Sequence, residues 1–329
     1  MKGLKPMHIL IAGPGNARPF LEKLAAAIPK GGADVACRYD LDRPSDYGKW
    51  ADTDILVAFA RPCDRRDMDL APRLRAIILP SLGFDGVDID AATARGIAVA
   101  NGHVIENFET VAEAAFLFML MSLYDIHEAQ ARLRLGAIRT GPPAARMLKG
   151  KTIGIIGFGN IARALVGRLE GWGARTLVSS RGPIAHPGGG VIQCDLDTLL
   201  ANSDIVLPLV PLTGETQGLF TKKRLLSMKR GAIFINLSRG AVVDEAALCD
   251  PEVIGHLGGI ALDVFEVEPL PKNSPLRHHP KAILTGHEIA HTQENLTALF
   301  DMALNNILSA VAGDAMPTLL NPASGQVSG

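Results

Sequence analysis

Lys151–Gly173, KTIGIIGFGNIARALVGRLEGWG, constrains this chain more than any other stretch. Ile153, Ile155 and Ile156 lead into Gly157-Phe158-Gly159-Asn160-Ile161-Ala162, after which Ile161, Leu165, Val166 and Leu169 recur at helical spacing. That order reads as a buried parallel strand, a tight glycine turn and a helix N-terminus. In such a turn Gly157 permits the reversal, Gly159 lets the backbone approach a pyrophosphate, and the small Ala162 lets the helix pack on the strand. Unpaired N–H groups at the helix start, together with the helix dipole, favour a phosphate's negative charge. A plain glycine turn is the weaker reading, because it requires neither the apolar strand before nor the periodic helix after.

A second apolar run, Thr176-Leu177-Val178, ends at Ser179-Ser180-Arg181. Dinucleotide sites that take NAD usually carry an acid about 20 residues past the glycines, bonded to the ribose 2′-hydroxyl. Ser180 and Arg181 stand there instead. An acid would repel the 2′-phosphate of NADP, whereas a hydroxyl donor followed by a guanidinium would hold it. The expectation is NADP(H) preferred with NAD(H) possible; the alternative is a solvated Arg181 and an enzyme that accepts either.

At 329 residues the chain has room for two domains, and 47% hydrophobic with 20% charged residues is ordinary for a globular protein. A formal net charge of -1 gives no electrostatic case for nucleic acid or an anionic membrane. The apolar run His8–Ala12 is too short for a signal sequence and reads as a first strand. Phe116–Leu123 is bounded by Glu113 and Asp125 and reads as a core helix, not a membrane span. Cys37, Cys63, Cys194 and Cys249 have no paired spacing, so neither a disulfide framework nor a metal site is expected, and a reducing cytoplasm is the default.

Before the glycine turn, short apolar runs at His8–Ala12, Asp54–Phe59, Ala76–Leu79 and Ala98–Ala100 alternate with helical patterns, which implies parallel βαβ units. The loop Pro80–Gly86 follows one such strand, and its backbone N–H groups suit a small anion such as a carboxylate; a plain strand-to-helix turn is equally compatible. A long helical pattern runs from Glu106 to about Leu135, with Gly136–Ala144 as a linker. After the turn, strands are expected at Asp204–Leu207, Ala232–Asn236, Ile260–Leu262 and Ala282–Leu284, and a loop over Ala185–Gly190. A helix over Thr292–Val311 should pack back on the first domain, and Gly313–Gly329 reads as a polar tail. The fold class is therefore α/β, two Rossmann-like domains of doubly wound parallel sheet with a cleft between them. Residues 1–112 with 293–329 form the substrate-binding domain, and 113–292 the dinucleotide-binding domain with a long crossing helix.

Gly83-Phe84-Asp85-Gly86-Val87-Asp88, Val111-Ala112-Glu113, Gly157–Ala162, Asn236-Leu237-Ser238-Arg239-Gly240, Ala261–Glu266, Glu268-Pro269-Leu270-Pro271 and His287 occur in this order. In that ordered set the chain resembles the D-2-hydroxyacid dehydrogenases, the group that includes D-lactate and phosphoglycerate dehydrogenases and glyoxylate/hydroxypyruvate reductases. Ser180-Arg181 resembles the NADP-preferring glyoxylate/hydroxypyruvate reductases.

The resemblance implies a triad of Arg239, Glu268 and His287. Arg239 would bind the keto acid's carboxylate and carbonyl, His287 would protonate the carbonyl oxygen as hydride arrives at carbon, and Glu268 would pair with the histidine. Asp263 would contact the nicotinamide carboxamide, with Val210, Pro211, Leu237 and Ser238 at the cofactor edge, while backbone groups of Leu82 and Gly83 would hold the substrate carboxylate. No metal is needed, and a homodimer through the central domain is implied. The chain departs from the family pattern at Gly286 and Glu288, where proline and an apolar residue usually flank the histidine, at His291, and at Leu209-Val210-Pro211, which lacks the frequent His-x-Pro. The implied reaction is NAD(P)H-dependent reduction of a small 2-keto acid to the D-2-hydroxy acid, or of glyoxylate to glycolate. The rival class is an NAD(H)-sensing corepressor-like regulator of the same fold, and phosphite oxidation is an alternative chemistry.

Overall fold

A computed structural model describes residues 7–29, 33–184 and 190–321. All but Gly190 of the loop expected over Ala185–Gly190, and residues 322–329 of the expected tail, lie outside the described residues. The chain divides into two compact units, Met1–Asn107 with Gln293–Gly329, and Phe108–Thr292.

In the first unit the strands are β1 (Met7–Ala12), β2 (Ala33–Arg38), β3 (Ile55–Ala58), β4 (Ala76–Ile78) and β5 (Ala98–Ala100). They form one sheet in the order β2-β1-β3-β4-β5, every pairing parallel. β1 and β3 are apolar runs because a parallel sheet is covered on both faces. Leu10, Leu56, Ile77 and Val99 pack on one side with Trp50, Met68 and Ala91. Ile9, Ile11, Ile55 and Ile78 pack on the other with Leu21, Leu24 and, from the helix Gln293–Ala312, Ala303 and Ile307.

The segment after that helix is not simply a polar tail. Leu320 donates its N–H to Val99 O at 2.7 Å, and the buried Asn321 accepts from Val99 N at 2.8 Å while donating to Ile97 O at 3.0 Å. Polar residues here close the open edge of β5, whose backbone groups need partners once buried.

The second unit holds β6 (Thr152–Ile156), β7 (Arg175–Ser179), β8 (Val191–Gln193), β9 (Ile205–Pro208), β10 (Ile233–Asn236), β11 (Gly259–Leu262) and β12 (Ala282–Leu284). Their order is β12-β11-β10-β9-β6-β7-β8, again all parallel. The chain starts at β6, winds outward through β7 and β8, then returns to β9 on the other side. The switch point is therefore between β6 and β9, and ligands of such sheets bind beyond the carboxyl ends of the strands at that point.

The helical pattern expected over Glu106–Leu135 is two helices, Ile105–Tyr124 and Ile126–Arg134, bent by 57° at Asp125. Ala112, Ala115, Phe118, Met119 and Leu123 bury against Ile153 and Leu165, and the second helix buries nothing. Where the buried face ends, Asp125 takes a left-handed conformation (φ +51°), which a short polar side chain tolerates best after glycine. Among the described residues no single helix is long and apolar enough to cross a membrane.

Candidate active site

The glycine turn is built by close approach between loops. Gly157 has φ +91°, and a Cβ there would lie 2.5 Å from the carbonyl oxygen of Leu209 in the loop after β9. Its N–H continues the β6–β7 ladder to Ser179 O at 2.8 Å. Gly159 caps the helix Asn160–Leu169 without a side-chain hydrogen bond, so the cap residue offers the first helical N–H groups no side-chain acceptor. A Cβ on Gly159 would meet no atom within 4 Å, whereas Ala162 is fully buried with Ile153 and Leu165. Open backbone at the second glycine, helix N–H groups ahead of it and tight packing behind are what a pyrophosphate needs, so these residues fit a dinucleotide. Asn160 is exposed and Ile161 half-buried at the same helix start, and Val210 and Pro211 follow β9 across the switch point.

At the end of β7, Ser180 Oγ donates to Gly182 O at 2.7 Å and accepts from Gln193 Nε2 at 3.0 Å. Gln193 also donates to Gly182 O and accepts from Ile184 N, so its amide is fully used in shaping this loop. The Ser180 proton is thus directed to Gly182, and Arg181 is the charged group the loop presents. Arg181 is 87% exposed, with Nη1 3.6 Å from Oε2 of Glu215.

The ends of β10, β11 and β12 carry the other polar residues. Buried Asn236 accepts from Ser238 N and Oγ and donates to Arg239 O at 2.9 Å, which fixes the Leu237–Gly240 loop. Arg239 Nη1 donates to Ser238 O at 2.7 Å. Gly240 lies against the next loop so closely that a Cβ would fall 1.9 Å from the carbonyl carbon of Phe265. Asp263, buried at the end of β11, accepts through Oδ1 from Thr285 Oγ1 at 2.5 Å, Glu288 N at 3.1 Å and Ile289 N at 3.3 Å. These bonds hold the loop on which His287 sits with φ +59°.

His287 Nδ1 and Glu268 Oε2 are 2.7 Å apart, and Glu268 Oε1 accepts from Phe265 N at 3.0 Å. The Glu268 hydrogen bond raises the pKa of His287, against burial, with the charges of Glu268 and Asp263 adding to the rise and Arg239 opposing it. Burial alone would raise Glu268, but the bonds from His287 and the Phe265 N–H outweigh it and leave the carboxyl below its ordinary value. Both shifts favour the imidazolium–carboxylate form of the pair, and the Arg239 charge acts on both partners.

Leu82 and Gly83 belong to the first unit, in the loop after β4. Asn101 Nδ2 donates to Leu82 O at 2.6 Å, Gly102 N to Ser81 O at 2.8 Å and Ser81 Oγ to Gly83 O at 3.2 Å. The carbonyls are engaged, while the N–H groups of Leu82 and Gly83 meet no acceptor among the described residues. Among the described residues no group of three or more His, Cys, Asp or Glu side chains is placed to hold a metal.

The second unit thus brings Arg239, Asp263, Glu268 and His287 onto adjacent strand ends, with the glycine turn, Ser180-Arg181 and Val210-Pro211 on the same edge of one sheet. Four organising residues were given no role from sequence, Asn101, Gln193, Glu215 and Thr285, and Asn236 entered only as a strand end and as part of the Asn236–Gly240 motif. Only Asn236 had a readable signal, an Asn at a strand end two residues before a Ser, the spacing of an Asx turn.

The profile of the D-isomer specific 2-hydroxyacid dehydrogenase NAD binding domain matches residues 116–288. The chain belongs to the D-isomer-specific 2-hydroxyacid dehydrogenase family. As a member it is an oxidoreductase with a nicotinamide dinucleotide-binding domain. It is 38% identical over 278 residues to a glyoxylate reductase of Thermofilum pendens, covering 81% of this chain and 80% of that one. It is 34% identical over 283 residues to a glyoxylate/hydroxypyruvate reductase B of Pectobacterium carotovorum, covering 84% and 88%. The crystal structure of a glyoxylate reductase from Paecilomyes thermophila superposes with a TM-score of 0.82 at 25% identity, over 96% of this dehydrogenase and 99% of that chain.

Proposed function

We propose that this chain reduces a small 2-keto acid, of the glyoxylate or hydroxypyruvate type, to the D-2-hydroxy acid or glycolate, using NADPH in preference to NADH. The observation that carries the reading is the 2.7 Å His287–Glu268 pair beside Arg239 at the strand ends, with the histidine's pKa raised by its carboxylate. A raised pKa favours the protonated imidazole, which is the state a proton donor to a carbonyl oxygen requires.

Bound at the glycine turn, the nicotinamide dinucleotide supplies the hydride. Glu268 orients His287 through Nδ1, leaving Nε2 to carry the transferred proton. Arg239 offers a planar, permanently charged fork to the substrate's carboxylate and carbonyl. Asp263 holds the His287 loop through Oδ1 and would contact the carboxamide of a bound nicotinamide. The unpartnered N–H groups of Leu82 and Gly83 suit the substrate carboxylate. Arg181 is the charge that favours a 2′-phosphate.

A homodimer accords with the apolar side chains exposed between the broken helix and the linker, among them Tyr124, Leu133, Leu135, Ile138 and Met147. The four free cysteines suit a reducing cytoplasm.

The test is the rate of reduced-nicotinamide oxidation with glyoxylate, hydroxypyruvate, pyruvate and phenylpyruvate, using NADPH and NADH separately. Turnover that favours NADPH and is lost in His287→Ala and Arg239→Ala is the expected result. Tight dinucleotide binding with no turnover on any keto acid would overturn the substrate assignment and favour a nucleotide-sensing role.

A further inference from the structure

We propose that Glu215 is a cofactor-specificity residue: as the counter-ion of Arg181 it competes with the 2′-phosphate of NADP(H) and keeps the guanidinium compatible with both cofactor forms. The inference rests on the reading that Arg181 recognises the 2′-phosphate.

Arg181 and Glu215 come from different loops, one after β7 and one after β9, on either side of β6. Those loops flank the carboxyl end of β6, where the glycine turn receives the dinucleotide. The pair therefore reaches across the edge of the cofactor crevice, Nη1 to Oε2 at 3.6 Å.

The described parts of both supporting loops carry internal hydrogen bonds. Gln193 uses its whole side-chain amide on Ser180, Gly182 and Ile184, which sets where Arg181 leaves the backbone. Thr216 Oγ1 donates to Pro211 O at 2.6 Å and accepts from Thr213 N at 2.8 Å, which sets the loop that carries Glu215. These bonds support the two opposite charges at 3.6 Å.

Arg181 can face one anion fully at a time. With NAD(H), which lacks the 2′-phosphate, the ion pair is undisturbed. With NADP(H), the phosphate takes the guanidinium and sits beside the Glu215 carboxylate, whose charge opposes it. Both side chains are largely exposed, 87% and 76%, so solvent weakens the pair and the effect is moderate. A dinucleotide site with a bare arginine would exclude less of the phosphate's advantage; this carboxylate reduces it.

Calorimetric titration of the whole chain with 2′-phospho-ADP-ribose and with ADP-ribose separates the contributions without any turnover. In Glu215→Gln, 2′-phospho-ADP-ribose should bind about threefold to fivefold tighter, with ADP-ribose changed by less than about twofold. In Arg181→Ala, the preference for 2′-phospho-ADP-ribose should disappear. Loss of that preference in Arg181→Ala with no change in Glu215→Gln would overturn the role of Glu215 alone. An unchanged preference in Arg181→Ala would overturn the reading of Arg181 itself, and the Glu215 inference with it. Equal tightening of both ligands in Glu215→Gln would also refute the inference, because the carboxylate would then act on the nucleotide generally.

Discussion

Replacing Gly240 by alanine should separate Arg239 from the His287–Glu268 pair. A Cβ at Gly240 would lie 1.9 Å from Phe265 C, 2.1 Å from Phe265 O and 2.3 Å from Glu266 N, all backbone atoms that no rotamer change can move. Relief to ordinary contact needs the two loops to part by roughly 1.5 Å, and overpacking of this kind costs ~1–3 kcal/mol. One loop carries Arg239 and the other leads into Glu268, so the displacement falls directly between the groups proposed to bind the substrate and to donate the proton. A misplacement of ~1 Å in a reacting constellation costs about 100-fold in rate. The expected result is a fall of about two orders of magnitude in kcat/KM, with a melting temperature lowered by roughly 2–4 °C per kcal/mol lost. Gly159→Ala is the internal control, since a Cβ there meets nothing within 4 Å of the protein. It should leave the melting temperature nearly unchanged and weaken dinucleotide binding, because the methyl group occupies the face offered to the pyrophosphate. A Gly240→Ala enzyme with wild-type kcat/KM and thermal stability would refute the steric argument.

In Glu268→Gln the pH profile of keto acid reduction should move. With Glu268 ionised, the His287 pKa stands above the ordinary imidazole value, so activity is retained below it and lost as pH rises through it. Without the carboxylate that loss begins at lower pH, and a superimposable profile for the variant would show that the pair does not set the proton. Thr285→Val removes a hydroxyl donor from the buried Asp263 carboxylate and should cost ~1.5–3 kcal/mol in urea denaturation, together with a lower kcat; an unchanged midpoint would count against the anchoring role. Burial pushes the Cys63 thiol up to about 12, so mass spectrometry after alkylation of the native protein at about pH 8 should find this cysteine unmodified; labelling there without unfolding would contradict its environment.

The glycine turn was legible because it couples three local signals, an apolar run, two glycines and a helical period, each of which has a direct backbone cause. β9, β10 and β11 were legible for the same reason, as buried parallel strands are predominantly apolar, and the short edge strand β12, Ala282–Leu284, is apolar too. β2 and β8 were not, because both are edge strands of mixed composition, ADVACR and VIQ, with one flank open to solvent. Asp125 hid the helix break, since a single left-handed residue leaves the apolar period on either side intact. At the site, Arg239, Glu268 and His287 carried recognisable motifs, but their supports are long-range. Thr285 finds Asp263 across 22 residues. Such pairings are set by which strand ends adjoin, information that a linear pattern does not hold.

The two halves of the first unit's polypeptide are made at very different times on the ribosome. Thr110 and Thr292, near the two ends of the second unit, are tied by a 3.1 Å hydroxyl contact, so the chain enters and leaves that unit at one place. Between Asn107 and Gln293 roughly 185 residues must be synthesised, on the order of 10–40 s at ~5–20 residues per second. During that interval Ile9, Ile55 and Ile78 await the Ala303 and Ile307 that cover them. A nascent chain halted at Thr292 would carry a complete nucleotide-binding unit and an unfinished first unit, with one face of its five-stranded sheet covered only by the helix that bears Leu21 and Leu24.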